Sequence, residues 1–429
     1  MKLFIYILLA SFHFLHPLHA QIDHTAAQRY FTDVQQLLRS DAGRLWGKSL
    51  EGPILLVHPN SRTVVANYPD REGKLMRRGN VYTGSLPADI PLANTAVEWA
   101  GITWAMILTP VSSEAYSRNA LFIHELWHRI QNDIGFPATD PSNNHLNTKE
   151  GRIWLQLEMR ALQRALNRSG DQRREAVRDA LLFRAHRHSL FSRGRDEERQ
   201  LENHEGLAEY TGIVLAIASE EDRRRYTIRK LRQAERLQSY TRSFAYHTSP
   251  AYGLLLDAVS SGWTRSFSHR DHLPELVRAG YGIQLPRSTT EEAQRRAQIY
   301  DGETIVTAET ERDRGLQRKL AEYKNRFITN PRLVLPLEEK RISFDPRSVT
   351  PLDNYGRVYE TLTASDIWGS LNATGGALMT SDWSAIFIDL PESPRGRTIK
   401  GNGYVLELRE GWEIVPGDRG GDYTVRKIR

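Results

Sequence analysis

Two histidines four residues apart, with a glutamate directly after the first, occupy His124-Glu125-Leu126-Trp127-His128. Neutral imidazole is a metal ligand and carboxylate a proton acceptor, so this set can hold a divalent cation and move a proton beside it. In an α-helix, residues four apart project from one face, so both imidazoles can reach one ion with Glu125 next to them. In this HExxH spacing, two histidines bind zinc and the glutamate takes the proton of the attacking water. The competing reading is an ordinary amphipathic helix. Ile123, Trp127, Ile130 and Ile134 form an apolar stripe, and His124, His128 and Gln131 lie on the adjoining one. Histidines buried there without a metal would need other partners for their nitrogens.

A catalytic zinc site uses three protein ligands and keeps one position open. The chain has no cysteine, and no third histidine follows at metzincin spacing. A carboxylate is therefore needed, and two stretches offer one: Glu205 in HEGLAEY (residues 204–210) and Glu158 in GRIWLQLEMRALQRAL (residues 151–166). Together with the opening motif, HEGLAEY resembles the gluzincin metallopeptidases. Their aminopeptidase-like branch carries a stretch like NEGFAEY on a second helix, with its first glutamate as third ligand. The resemblance implies Glu205 as the third ligand to one Zn²⁺, and Glu209, one turn on, as the carboxylate holding a ligand imidazole through its other nitrogen. FAYHTSPAYGLLLDAV (residues 244–259) resembles the family's tyrosine-bearing stretch and implies Tyr246 as donor to the oxyanion. Tyr252 and His247 are reserves, and packing at a helix start is the alternative role for both tyrosines. The three stretches, within residues 120–255, follow the family's order but not its spacing, because residues 136–200 are inserted. Glu158, inside the insertion, shares an apolar helix with Trp154, Leu155, Leu157 and Leu162. It is either a rival third ligand or the buried partner of an arginine such as Arg160 or Arg164. The implied function is hydrolysis of peptide or protein substrates with Glu125 as general base. The alternative from another class is a non-catalytic binding or scaffold protein retaining such a domain.

The elements that position these residues follow from composition and periodicity. Residues 1–20 carry one early lysine, an apolar run from Leu3 to Leu9 and a small residue at Ala20, which reads as a secretory signal. Export without cysteine fits a bacterial periplasm or exterior. No later stretch is long and apolar enough to span a bilayer. The net charge of +6 comes from arginines interleaved with acids, as in GDQRREAVRDALLFRAHRH and SEEDRRRYTIRKLRQAERL. These predict solvated helix faces, including His186 and His188, rather than a nucleic-acid surface.

A chain of 429 residues exceeds one compact core. The expected class is α+β multidomain. Residues 21–110 form a small β-containing part, with a helix over 24–40, strands Ile54–Val57 and Thr63–Asn67, and one strand from Val97 to Leu108. Residues 111–328 form a helical, zincin-like catalytic domain. Its helices are a motif helix capped by Ser112 or Ser113 and running to Gly135, then 150–167, 172–190, 196–218, 221–239, 251–259 and 290–325. Residues 329–429 form an all-β domain, shown by the period-two apolar set Tyr404, Leu406 and Leu408.

Overall fold

A computed structural model describes residues 22–345, 348–391 and 393–428; the signal expected over residues 1–20 lies outside them. The chain divides into two compact units, residues 1–309 and 310–429.

The first unit opens with α1 (His24–Asp41), capped by the Asp23 carboxylate. A six-stranded sheet follows: β1 (Ile54–Val57), β2 (Thr63–Ala66), β3 (Met76–Arg78), β4 (Val81–Ser85), β5 (Thr95–Trp99) and β6 (Ile102–Leu108), in the order β3-β4-β2-β1-β6-β5. All neighbours are antiparallel except β1 and β6. Both faces of β1 are covered. Ile54 and Leu56 join the main core and Leu55 and Val57 a second cluster, as the period of two requires. The strand expected over Val97–Leu108 is a hairpin. Ala100 and Gly101 both take positive φ, and this turn folds an apolar run that periodicity reads as continuous. The β3–β4 pair escapes the pattern because β3 is fully exposed.

Helices then dominate: α2 (Ala115–Ile130), α3 (Lys149–Leu166), α4 (Gly170–Leu190), α5 (Gly194–Leu201), α6 (Leu207–Ala216), α7 (Glu220–Ala234), α8 (Ala245–Asp257), α9 (Leu273–Gly280), α10 (Thr290–Ala297) and α11 (Gly302–Lys324). The cap of α2 is the carboxylate of Glu114, which accepts from the amides of Tyr116 and Ser117, rather than Ser112 or Ser113. The helix expected over 196–218 is interrupted by a π turn, Glu202–Gly206. The one expected over 290–325 breaks at Asp301, whose φ is 53°. The helix expected from 251 starts at Ala245, six residues earlier, with Pro250 inside it.

The Arg-rich face expected in solvent is partly interior. Arg184 is 5% and Arg187 0% exposed, and His186 is also buried. Burial is tolerated because carboxylates from other elements meet the guanidiniums. Glu158 of α3 lies 2.8 Å from Arg184 and 2.7 Å from Arg187, Glu202 2.5 Å from Arg184, and Glu198 2.7 Å from Arg187. Among the described residues, no helix is long and apolar enough to cross a membrane.

The second unit is strand-rich beyond the end of α11. It contains β7 (Arg332–Pro336), β8 (Arg341–Phe344), β9 (Val349–Leu352), β10 (Gly356–Tyr359), β11 (Leu362–Asp366), β12 (Gly369–Ala373), β13 (Ala377–Thr380), β14 (Ala385–Asp389), β15 (Thr398–Gly401), β16 (Tyr404–Leu408), β17 (Trp412–Pro416) and β18 (Tyr423–Lys427). They form a seven-stranded sheet, β17-β18-β7-β14-β13-β10-β9, and a five-stranded sheet, β15-β16-β12-β11-β8. Tyr404, Leu406 and Leu408 point into the core between strands.

Candidate metal centre

Ile123, Leu126, Trp127 and Ile130 anchor one face of α2 in the main core. That places His124, 4% exposed, and Glu125, 3% exposed, on the side turned to α6. The two helices approach closely because α6 carries Gly212. A Cβ there would lie 2.5 Å from the carbonyl oxygen of Ala120. The π turn before α6 sits against α8 for the same reason, since a Cβ on Gly206 would meet the Ser249 hydroxyl at 2.0 Å.

The imidazoles of His124 and His128 bring their Nε2 atoms within 3.0 Å of each other. Each Nε2 lies 3.3 Å from Glu205 Oε2. The outer nitrogens are occupied: His124 Nδ1 donates to Glu209 Oε2 at 3.2 Å and His128 Nδ1 to Gln131 Oε1 at 2.6 Å. These bonds fix which nitrogen of each ring faces Glu205. Glu209 is held from its other oxygen by the ammonium of Lys230 on α7. The ligand atoms of His124, His128 and Glu205 all lie within 4.8 Å of one another.

Glu125 stands beside them with Oε2 buried and without a hydrogen-bond partner. Burial pushes its carboxyl up to about 7; His124 opposes this, and Glu205 and Glu209 add to it. Burial would lower His124, but hydrogen bonds to Glu205 and Glu209 raise it to about 10. Burial works against the charge on Glu205 as well, yet the two histidines hold it far below the usual carboxylate range. Lys230 does the same for Glu209 against its burial. The Tyr246 ring stacks on His124, centroids 5.5 Å apart and 7° from parallel, and its hydroxyl donates to Glu205 Oε2 at 2.5 Å.

Compared with known proteins, the chain matches no family model, no curated protein and no solved structure. His124, with carboxylates at both nitrogens, is driven toward a positive charge. A divalent cation would supply that charge at the Nε2 side, where two imidazoles and a carboxylate converge. The donor set fits zinc.

The other sequence candidates lie elsewhere. Glu158 is 0% exposed and turned to Arg184, Arg187 and the hydroxyl of Tyr252, which donates to it at 2.6 Å. Its arginines are on α4, not the Arg160 or Arg164 of its own helix; Arg160 pairs with Glu235. His247 is not among the hydrogen-bonded groups of the site, and its buried Nδ1 has no partner. Periodicity misses two neighbours of the centre. Lys230 is hidden in an Arg-rich helix, although Tyr226, Thr227 and Leu231 mark that side as inward. His204 donates from Nδ1 to the Thr139 carbonyl at 2.8 Å and packs edge-on against His128 at 5.1 Å. Only its place beside Glu205 could have singled it out.

Proposed function

We propose that this chain is an exported zinc metallopeptidase of the gluzincin kind, hydrolysing peptide bonds in peptide or protein substrates. The observation carrying this is the convergence of His124 Nε2, His128 Nε2 and Glu205 beside the unpartnered buried carboxylate of Glu125. His124, His128 and Glu205 would hold one zinc ion. Bound zinc supplies Lewis-acid chemistry, acidifying water and polarising a carbonyl. Glu125 takes the proton of the attacking water at its free oxygen and delivers it to the leaving amine. Tyr246, whose ring rests on His124, turns its hydroxyl from Glu205 to the developing oxyanion. Glu209 and Gln131 keep both imidazoles oriented. The near-complete burial of His124 and Glu125 favours a second reading, a non-catalytic exported binding or scaffold protein. Glu125 speaks against it, because a binding site needs no general base.

Metal analysis of purified protein tests the proposal. Wild type should carry a single zinc ion, Glu205→Ala should lose it, and Glu158→Ala should keep it in whatever fraction folds. Glu125→Gln should retain zinc and lose roughly 10²–10⁴-fold in cleavage of a peptide library. Zinc content unaffected by Glu205→Ala would overturn the ligand set. Equal cleavage by wild type and Glu125→Gln would overturn Glu125 as the general base, and no cleavage by zinc-loaded wild type would overturn the peptidase.

A further inference from the structure

A concave site lies among α4, α5 and α9, on residues outside the metal centre. It encloses about 200 Å³, below the roughly 300–1,000 Å³ of drug-sized pockets, so it suits a small ligand. Leu181, Ala185, Pro274 and Leu285 supply apolar lining. Arg195 and Arg278 contribute guanidiniums, and both lean on the single carboxylate of Glu275, at 3.4 and 2.8 Å. These contacts are solvent-exposed, with side-chain exposures of 55% for Arg195, 46% for Arg278 and 42% for Glu275, and such pairs hold their members only weakly. One carboxylate shared by two guanidiniums leaves an excess positive charge on this cavity.

Arg184 also lines the cavity but is already paired with Glu158 and Glu202, and two imidazoles complete the lining. His188 uses Nε2 on Glu198 at 3.0 Å. His272, at the start of α9, makes no side-chain capping bond. Burial, with Arg195, Arg199 and Arg184 adding to it, lowers its imidazole to about 4. Neutral imidazole still offers one N–H donor.

We propose that this cavity binds a small aliphatic carboxylate, its tail on the leucine-lined floor and its oxygens between Arg195, Arg278 and His272. A planar monoanion matches the guanidinium fork and the excess charge, whereas a phosphate dianion would be under-compensated and would leave the apolar lining unused. The same chemistry is presented by a free short-chain acid and by a peptide C-terminus ending in an aliphatic residue.

Titration calorimetry on the full chain tests this with 3-methylbutanoate, its neutral amide, and a blocked dipeptide ending in leucine. The acid should bind saturably, and the amide roughly tenfold or more weakly. The double variant Arg195→Ala/Arg278→Ala should lose binding by at least the same factor, and Glu275→Gln should tighten it by freeing both guanidiniums. Circular dichroism would check that the variants fold. Binding of the dipeptide would assign a peptide C-terminus, and binding of the free acid alone a small metabolite. Equal affinity for acid and amide, indifference to the double substitution, or no saturable binding would overturn the proposal. Zinc content is not involved, so the outcome is separate from the peptidase reading.

Discussion

At the scale of single residues, Lys230 carries the sharpest consequence. Its ammonium meets Glu209, whose other oxygen accepts from His124 Nδ1. Replacing it with methionine leaves a buried carboxylate without its counter-charge. Glu209 then takes up a proton or turns away, and His124 loses the bond that aims its Nε2. Removing a nearby cation would by itself strengthen binding of another cation, so any loss reports positioning. Zinc affinity measured by chelator competition should fall roughly 10–100-fold in Lys230→Met, and Lys230→Arg should restore much of it. Unchanged affinity in Lys230→Met would show that Glu209 needs no partner to hold His124.

At the scale of elements, the π turn Glu202–Gly206 decides where the carboxylate of Glu205 points. Arg184 grips Glu202 at one end, and Gly206 at the other lets the turn press on α8. Gly206→Ala should cost about 1–3 kcal/mol in chemical denaturation through overpacking, and Ser249→Gly in the same chain should recover most of it. If the double variant is no better than the single, the contact with Ser249 is not the constraint. Glu158→Ala should be worse, roughly 3–5 kcal/mol, because Arg184 and Arg187 stay buried without it. The histidine pair and its helix were legible in the sequence because spacing and apolar stripe are local properties of one element. The choice between Glu158 and Glu205 was not, because it turns on Arg184 and Arg187. These read as a solvated face until carboxylates from α3, α5 and the π turn close over them. The hairpin at Ala100-Gly101 was hidden for a related reason: its strands form one apolar run, and the turn has a single glycine to mark it.

At the scale of the whole molecule, all 14 histidines precede residue 310, so the second unit, residues 310–429, carries none and the two units should respond differently to mild acid. Burial, with Lys230 nearby, lowers His247 from its ordinary 6.5 to about 4, and His272 is lowered to about 4. A histidine whose folded pKa is depressed binds fewer protons folded than unfolded at intermediate pH. Its stabilising contribution is therefore present above about 6.5 and lost as pH falls through 4. For His247 the full loss is on the order of 3 kcal/mol. Glu158 and Glu198, held low by their arginines against burial, add a further loss once pH passes below 4.5, their ordinary value. The second unit has no histidine to titrate and should hold its stability across the upper part of this window. Glu125, raised to about 7 by burial, gains stability between pH 7 and 4.5 and opposes this loss. Hydrogen exchange of metal-free Glu125→Gln, corrected for intrinsic rates, should therefore show amides of residues 22–309 losing protection between pH 6.5 and 4.5 while those of 310–428 keep theirs. His247→Gln should flatten the response of the first unit, because it removes a strongly lowered imidazole without touching the pairs of Glu158 and Glu198 with their arginines. Parallel loss of protection in both units, or an unchanged slope in His247→Gln, would place the acid sensitivity in groups other than these histidines.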